Sequence, residues 1–229
     1  MDWKQQDRTR KGLHGGDDRP NMSIAHLEEA FHGRSGYTMS LTNTDPNKTD
    51  RYVKFDWPRI SNPKINFPLD ESESSRLNVA EAESIASLHA AADANPDEIA
   101  ALIIEPIQGE GGDNHFRPEY MQELERATHD IGALFIVDEV QTGMGGTGKM
   151  WAYEHYGVKP DLLAFGKKMQ VCGMMGGERI TDNEDNVFST STRINSTFGG
   201  NLVDMVRGAA CLEVIVEEDL LDNATKVGE

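Results

Sequence analysis

The chain has 229 residues, 38% of them hydrophobic and 27% charged, with a formal net charge of −17. That balance excludes an extended disordered polymer and supplies enough apolar mass for a real core, in one large domain or two small ones. So acidic a surface argues against nucleic acid as a partner, and no apolar run approaches the ~18 residues of a membrane helix, so no membrane association is expected.

Residues 1–22 are polar and run into Gly15-Gly16-Asp17-Asp18-Arg19-Pro20, a composition that predicts loop; Met1 to Gln6 lack the apolar stretch of a secretory signal. Residues 43–75, rich in Asn, Asp, Pro and Ser, predict a long irregular connection. Residues 76–94 place Leu77, Ala80, Ile85 and Leu88 at helical spacing. From there strands and helices alternate. Residues 99–104 form a short apolar run that predicts a buried strand. Residues 118–130 predict a helix, with Pro118 suited to its first turn. A second strand is expected at 132–137, a short helix at 151–156, a third strand at 161–165 and an amphipathic helix at 201–218. The pattern predicts an α/β fold with a mostly parallel sheet, which places ligands beyond the carboxyl ends of the strands. Cys172 and Cys211 form no CxxC pair, so no disulfide framework and a reducing, cytoplasmic setting are expected. The seven histidines show no metal-ligand spacing, and no metal is expected.

Three segments follow the three strands: Glu105-Pro106-Ile107-Gln108-Gly109-Glu110-Gly111-Gly112, Asp138-Glu139-Val140-Gln141-Thr142-Gly143 and Gly166-Lys167-Lys168. They gather acids, amides and lysines on one sheet edge. Pyridoxal phosphate chemistry needs such types: an amine to form a Schiff base with the cofactor aldehyde, and a carboxylate to keep its pyridine nitrogen protonated. Either Lys167 or Lys168 could supply the amine. Gly143-Met144-Gly145-Gly146-Thr147-Gly148 matches GxGxxG, but a dinucleotide loop needs the first glycine tight against the strand and a helix opening at once. A flexible glycine loop is the stronger reading.

The paired motifs, Asp138 to Gly143 and Gly166-Lys167 joined by residues 151–160, resemble the class III aminotransferases, pyridoxal phosphate enzymes of fold type I. Phe31-His32-Gly33-Arg34, Glu105 to Gly112 and Asn195-Ser196-Thr197-Phe198-Gly199-Gly200 fit the same family, and the likeness runs from about Ser23 to the end. It implies a three-layer α/β fold, pyridoxal 5'-phosphate as cofactor, and a homodimer acting on a small amino acid and a 2-oxo acid. By resemblance Lys167 carries the cofactor and shuttles a proton, Asp138 faces the pyridine nitrogen, Gln141 meets the ring hydroxyl and Phe31 stacks on the ring. Ser196 and Thr197 reach the phosphate across a dimer interface. Arg34, assisted by Asn195, holds the substrate carboxylate, and Glu110 is the gating acid. Residues 31–38, 54–59 and 164–173 are more similar to the branch acting on the terminal amine of L-lysine than to the ornithine and 4-aminobutyrate branches. The family's phosphate-cradling turn and small C-terminal domain, with the arginine that pairs with Glu110, have no match here. The expectation is therefore a partial large domain spanning residues 1–229, weakly active at best when alone. A non-catalytic remnant and a nucleotide-binding module are the rival readings.

Overall fold

The computed structural model describes residues 1–13 and 22–228, so the turn-rich stretch at 15–20 lies outside the described residues. A sheet of six strands carries the fold: β1 (Ser23–Leu27), β2 (Arg59–Ile60), β3 (Ile99–Ile104), β4 (Leu134–Asp138), β5 (Leu162–Phe165) and β6 (Gly173–Gly176), in the spatial order β2-β1-β3-β4-β5-β6. All neighbours are parallel except β5 and β6, which run antiparallel. The helices are α1 (Asp2–Arg10), α2 (Thr38–Leu41), α3 (Pro46–Thr49), α4 (Glu71–Ala94), α5 (Pro118–Asp130), α6 (Glu178–Thr181), α7 (Leu202–Glu217) and α8 (Leu220–Gly228).

The central strands are apolar throughout because both their faces are covered. Alternate residues point to opposite faces. Leu102, Ile104, Phe135 and Val137 join Leu88 of α4 and Tyr120, Met121 and Leu124 of α5 in the larger core. Ala101 and Leu134 face the other way, against Ile180 of α6 and Trp3 of α1. The register Ala101↔Leu134, Leu102↔Phe135 and Ile104↔Val137 keeps the two sets in separate layers. Each fully buried Leu or Phe contributes roughly 2 kcal/mol by leaving water. The result is the expected mostly parallel α/β sheet in three layers.

Helix α1 forms in the polar segment ahead of the turn-rich stretch. It has almost no apolar face, and buries Lys4. Polar side chains dock it instead: Lys4 Nζ donates to the Gly132 carbonyl at 2.7 Å, Trp3 Nε1 to the Arg179 carbonyl at 2.9 Å and Arg8 to the Asp97 carbonyl at 3.0 Å. Helix α4 starts at Glu71, five residues before the periodic segment, because Asp70 caps it by accepting from the Glu73 backbone N–H at 2.9 Å. Strand β6 is GMMG, too short and glycine-bounded to read as a strand. A Cβ on Gly173 would press into the Phe165 ring, which explains glycine there.

Asp161 fixes the β4–β5 junction. Its buried Oδ2 accepts from the Phe135 backbone N–H at 2.8 Å, His129 Nε2 at 2.9 Å and Arg179 at 3.0 Å. Asp161→Ala strands the buried Phe135 backbone donor and removes the carboxylate partner of Arg179, and should lower the free energy of unfolding in urea by about 2 kcal/mol.

Candidate active site

The strands β1, β3, β4 and β5 end at one edge, and the residues just beyond them meet there. Phe31, His32, Gly33, Glu105, Asp138, Val140, Gln141 and Lys167 line a cavity of about 260 Å³. Four residues with expected roles, Phe31, Asp138, Gln141 and Lys167, are therefore brought together.

Asp138 is the last residue of β4. Its Oδ1 accepts from the Val140 backbone N–H at 3.1 Å and its Oδ2 lies 2.8 Å from His32 Nδ1. Its neighbour Glu139 is buried and serves the loop: it accepts from the Tyr153 N–H at 2.7 Å and from the Thr142 hydroxyl. In the Asp138 to Gly143 motif, then, the first acid faces the cavity and the second braces the turn. Gly143 completes that turn, because a Cβ would lie 2.8 Å from the Glu139 carbonyl and 2.7 Å from the Trp151 ring.

Lys167 follows β5 after Gly166 and opens a 3-10 turn with φ +43°, a left-handed conformation uncommon for a side-chain-bearing residue. Its Nζ donates to Gln141 Oε1 at 2.6 Å. Lys168 turns away from the cavity, donates to the Gln141 backbone carbonyl and lies against Gly146. Gln141 thus separates the two lysines, one on its side chain and one on its backbone. Gly109 makes room for it, since a Cβ there would overlap the Gln141 amide.

Glu105, at the end of β3, and His32 had no expected role, although both sit inside the motifs described above. Glu105 accepts from the Phe31 backbone N–H at 2.8 Å, tying the loop after β1 to the end of β3. Burial pushes its carboxyl up to about 7; His32, the Phe31 N–H and Lys167 pull it down, and Asp138 pushes it further up. The signal in sequence is their adjacency to residues with roles, Glu105 closing an apolar strand and His32 following Phe31.

The other expected residues do not line the cavity. Arg34 is exposed and donates to the Lys48 carbonyl at 3.2 Å. Glu110 pairs with Lys48, whose ammonium stands 5.8 Å from the centre of the Phe31 ring. Asn195, Ser196 and Thr197 lie in an exposed segment before α7. The glycine run at 143–148 opens no helix; it packs on α8, where a Cβ at Gly145 would meet Leu221 at 2.8 Å. Among the described residues, no cluster of three potential metal ligands occurs and no helix is long and apolar enough to cross a membrane.

An amine, a carboxylate and an aromatic face around one cavity, at the carboxyl edge of a parallel sheet, are the groups that pyridoxal phosphate chemistry uses. The chain belongs to the class III aminotransferases, whose family pattern matches residues 2–229. It is 53% identical over 232 residues to an L-lysine-epsilon aminotransferase of Amycolatopsis lactamdurans, covering 100% of this chain and 50% of that protein. It is 49% identical over 229 residues to the L-lysine-epsilon aminotransferase of Streptomyces clavuligerus, again covering 100% of this chain and 49% of the relative. Among solved structures, the lysine aminotransferase from M. tuberculosis in the internal aldimine form superposes with a TM-score of 0.92 at 48% identity, over 99% of this chain and 51% of that one. The chain spans about half the length of the curated relatives it matches. Class III aminotransferases depend on pyridoxal phosphate. The cavity fits that group: it offers an amine, a carboxylate held by two donors, an aromatic ring and an amide.

Glu105 gives the site a measurable pH dependence. Its folded value, about 7, lies above the ordinary 4.5, so between the two the folded chain holds a proton that the unfolded chain has released. Its contribution to stability is full below 4.5 and is lost as pH rises through 7. The unfolding free energy of the cofactor-free wild type, relative to Glu105→Gln, should therefore fall by roughly 2–3 kcal/mol between about pH 5 and pH 7.5, measured by urea titration.

Proposed function

We propose that this chain is the cofactor-holding part of an enzyme that transfers the terminal amine of L-lysine to 2-oxoglutarate, giving 2-aminoadipate semialdehyde and glutamate. The observation that carries the reading is the convergence of Lys167, Asp138, Gln141 and Phe31 on one cavity, in a chain about half identical to lysine aminotransferases. Pyridoxal 5'-phosphate, when bound, supplies an electron sink and a temporary home for the amino group.

The chain's own residues then have separate tasks. Lys167 holds the cofactor through Nζ and, once freed, takes up and returns a proton at that atom. The left-handed turn at Lys167 and the bond to Gln141 set where that nitrogen stands before any ligand arrives. Asp138 keeps a negative charge facing the pyridine nitrogen. Phe31 offers a ring face, and Gln141 an amide for the ring hydroxyl. Arg34 has the planar fork that meets a substrate carboxylate with two parallel hydrogen bonds, with Asn195 beside it in role. Glu110, paired with Lys48, is an acid that can exchange partners as amino donor and 2-oxo acid alternate. Ser196 and Thr197, exposed and away from this cavity, suit donation of phosphate ligands to a second subunit's site in a homodimer. A cytoplasmic setting fits the absence of any disulfide among the described residues.

Incubation with pyridoxal phosphate, borohydride reduction and peptide mapping should place the label on Lys167, and Lys167→Ala should abolish it. Label on Lys168 would reassign the amine, and no label would favour a non-catalytic remnant. In the protein assayed with separate donors, L-lysine should be preferred; preference for ornithine or 4-aminobutyrate would move the substrate to another branch of the family.

A further inference from the structure

The glycine run at 143–148 has no part in the cavity, yet each of its glycines lies under a particular neighbour. A Cβ on Gly143 would meet the Trp151 ring at 2.7 Å, one on Gly145 would meet Leu221 at 2.8 Å, and one on Gly148 would overlap the Thr225 hydroxyl. Those three contacts are packing, two of them against α8. Gly146 differs. A Cβ there would lie 3.2 Å from Lys168 Cε and 3.8 Å from its Nζ, so the glycine seats the stem of that lysine. From this seat the Lys168 ammonium reaches the Gln141 backbone carbonyl, 27 residues away in sequence. Among the described residues, neither the N–H nor the carbonyl of Gln141 has a backbone partner. The turn is braced before and after it, by Glu139 and Gly143, but at Gln141 itself the ammonium holds the chain. A hydrogen bond from a charged donor is stronger than a neutral one, which suits a lone anchor.

The same Gln141 carries the side-chain amide that accepts from Lys167 Nζ at 2.6 Å. Gly109 leaves room for that amide but does not direct it. Gln141 is exposed and its side chain is long, so where the amide can stand is limited by how firmly its backbone is fixed. We propose that Lys168 is a positioning residue for Gln141: its ammonium fixes the Gln141 backbone, and so holds the amide where it meets Lys167 and where the cofactor's ring hydroxyl would stand. Lys168 then has a task distinct from that of its neighbour, and Gly146 is the place in the glycine run that lets it reach. The proposal rests on the cofactor reading above, but the contact it concerns is a property of the chain without cofactor.

Two measurements separate the proposal from that reading. The first is NMR of the side-chain amides in the cofactor-free protein, with Gln141→Ala identifying the Gln141 signals. Those signals should move in Lys168→Met and stay in place in Lys159→Met, which removes an exposed ammonium paired with Glu178. Unmoved signals in Lys168→Met, or equal movement in both variants, overturn the proposal whether or not the cofactor binds. The second is the dissociation constant of pyridoxal phosphate, followed by quenching of tryptophan fluorescence. Lys168→Met should weaken binding roughly fivefold, the size of one modest hydrogen bond. Lys168→Arg, which keeps a cationic donor of similar reach, should restore binding to within about twofold, and adding Lys168→Met to Gln141→Ala should cost nothing further. A loss in Lys168→Arg as large as in Lys168→Met overturns the proposal. So does a further fivefold loss in the double variant, because the ammonium would then act on the cofactor other than through Gln141. Failure of the wild type to bind pyridoxal phosphate sinks the cofactor reading, and the NMR result then decides the Lys168–Gln141 contact alone. If Lys168→Met does not fold, Lys168→Gln, too short to reach the carbonyl, takes its place in both measurements.

Discussion

The parallel register of β1, β3, β4 and β5 is the constraint on which everything else depends. Parallel strands all point their carboxyl ends the same way, so four segments far apart in sequence are delivered to one edge. Phe31 and His32 arrive after β1, Glu105 follows β3, Asp138 ends β4 and Lys167 follows β5. A one-residue slip between β3 and β4 would turn Phe135 and Val137 out of the larger core and carry Asp138 to the wrong face. The core and the site are therefore specified by the same pairing, and Asp161, which holds the Phe135 N–H and Arg179 together, stabilises both.

Within the site, two carboxyl groups have different surroundings. Asp138 is in contact with the Val140 backbone N–H and the His32 ring. Glu105 is buried, with one backbone donor, and its carboxyl rises to about 7. The two lysines are divided as clearly, by Gln141. Its side chain engages Lys167 at the cavity and its backbone carbonyl engages Lys168 away from it. A sequence containing two adjacent lysines thus yields one that faces the cavity.

Much of this was legible in the residues alone. The apolar runs at 99–104 and 161–165 and the proline-led helix at 118–130 match β3, β5 and α5 closely, because fully buried strands and a one-sided helix leave strong periodic signals. The strand-end acids and lysine were legible for the same reason. What was not legible is what depends on single contacts. Strand β1 is Ser23-Ile24-Ala25-His26-Leu27, whose histidine breaks the apolar run although it is buried. Strand β6 exists because Gly173 lies under Phe165. Helix α1 has no apolar stripe to reveal it, and the contact of His32 with Asp138 joins residues that no spacing connects.

The docking of α1 has a consequence for how this chain tolerates change. Its anchors run from side chains of the helix to backbone carbonyls of Gly132, Arg179 and Asp97. A carbonyl is offered by whichever residue occupies the position, so these three anchors survive side-chain changes beneath them, whereas the Asp97 carboxylate facing Lys4 and Lys11 and the Arg179 guanidinium over the Trp3 ring do not. Trp3, Lys4 and Arg8 have no such freedom, since each reaches its target with one particular length and donor. Adaptation at those three anchors is therefore one-sided: the positions that offer the carbonyls can drift, while the helix side chains that grip them stay as they are.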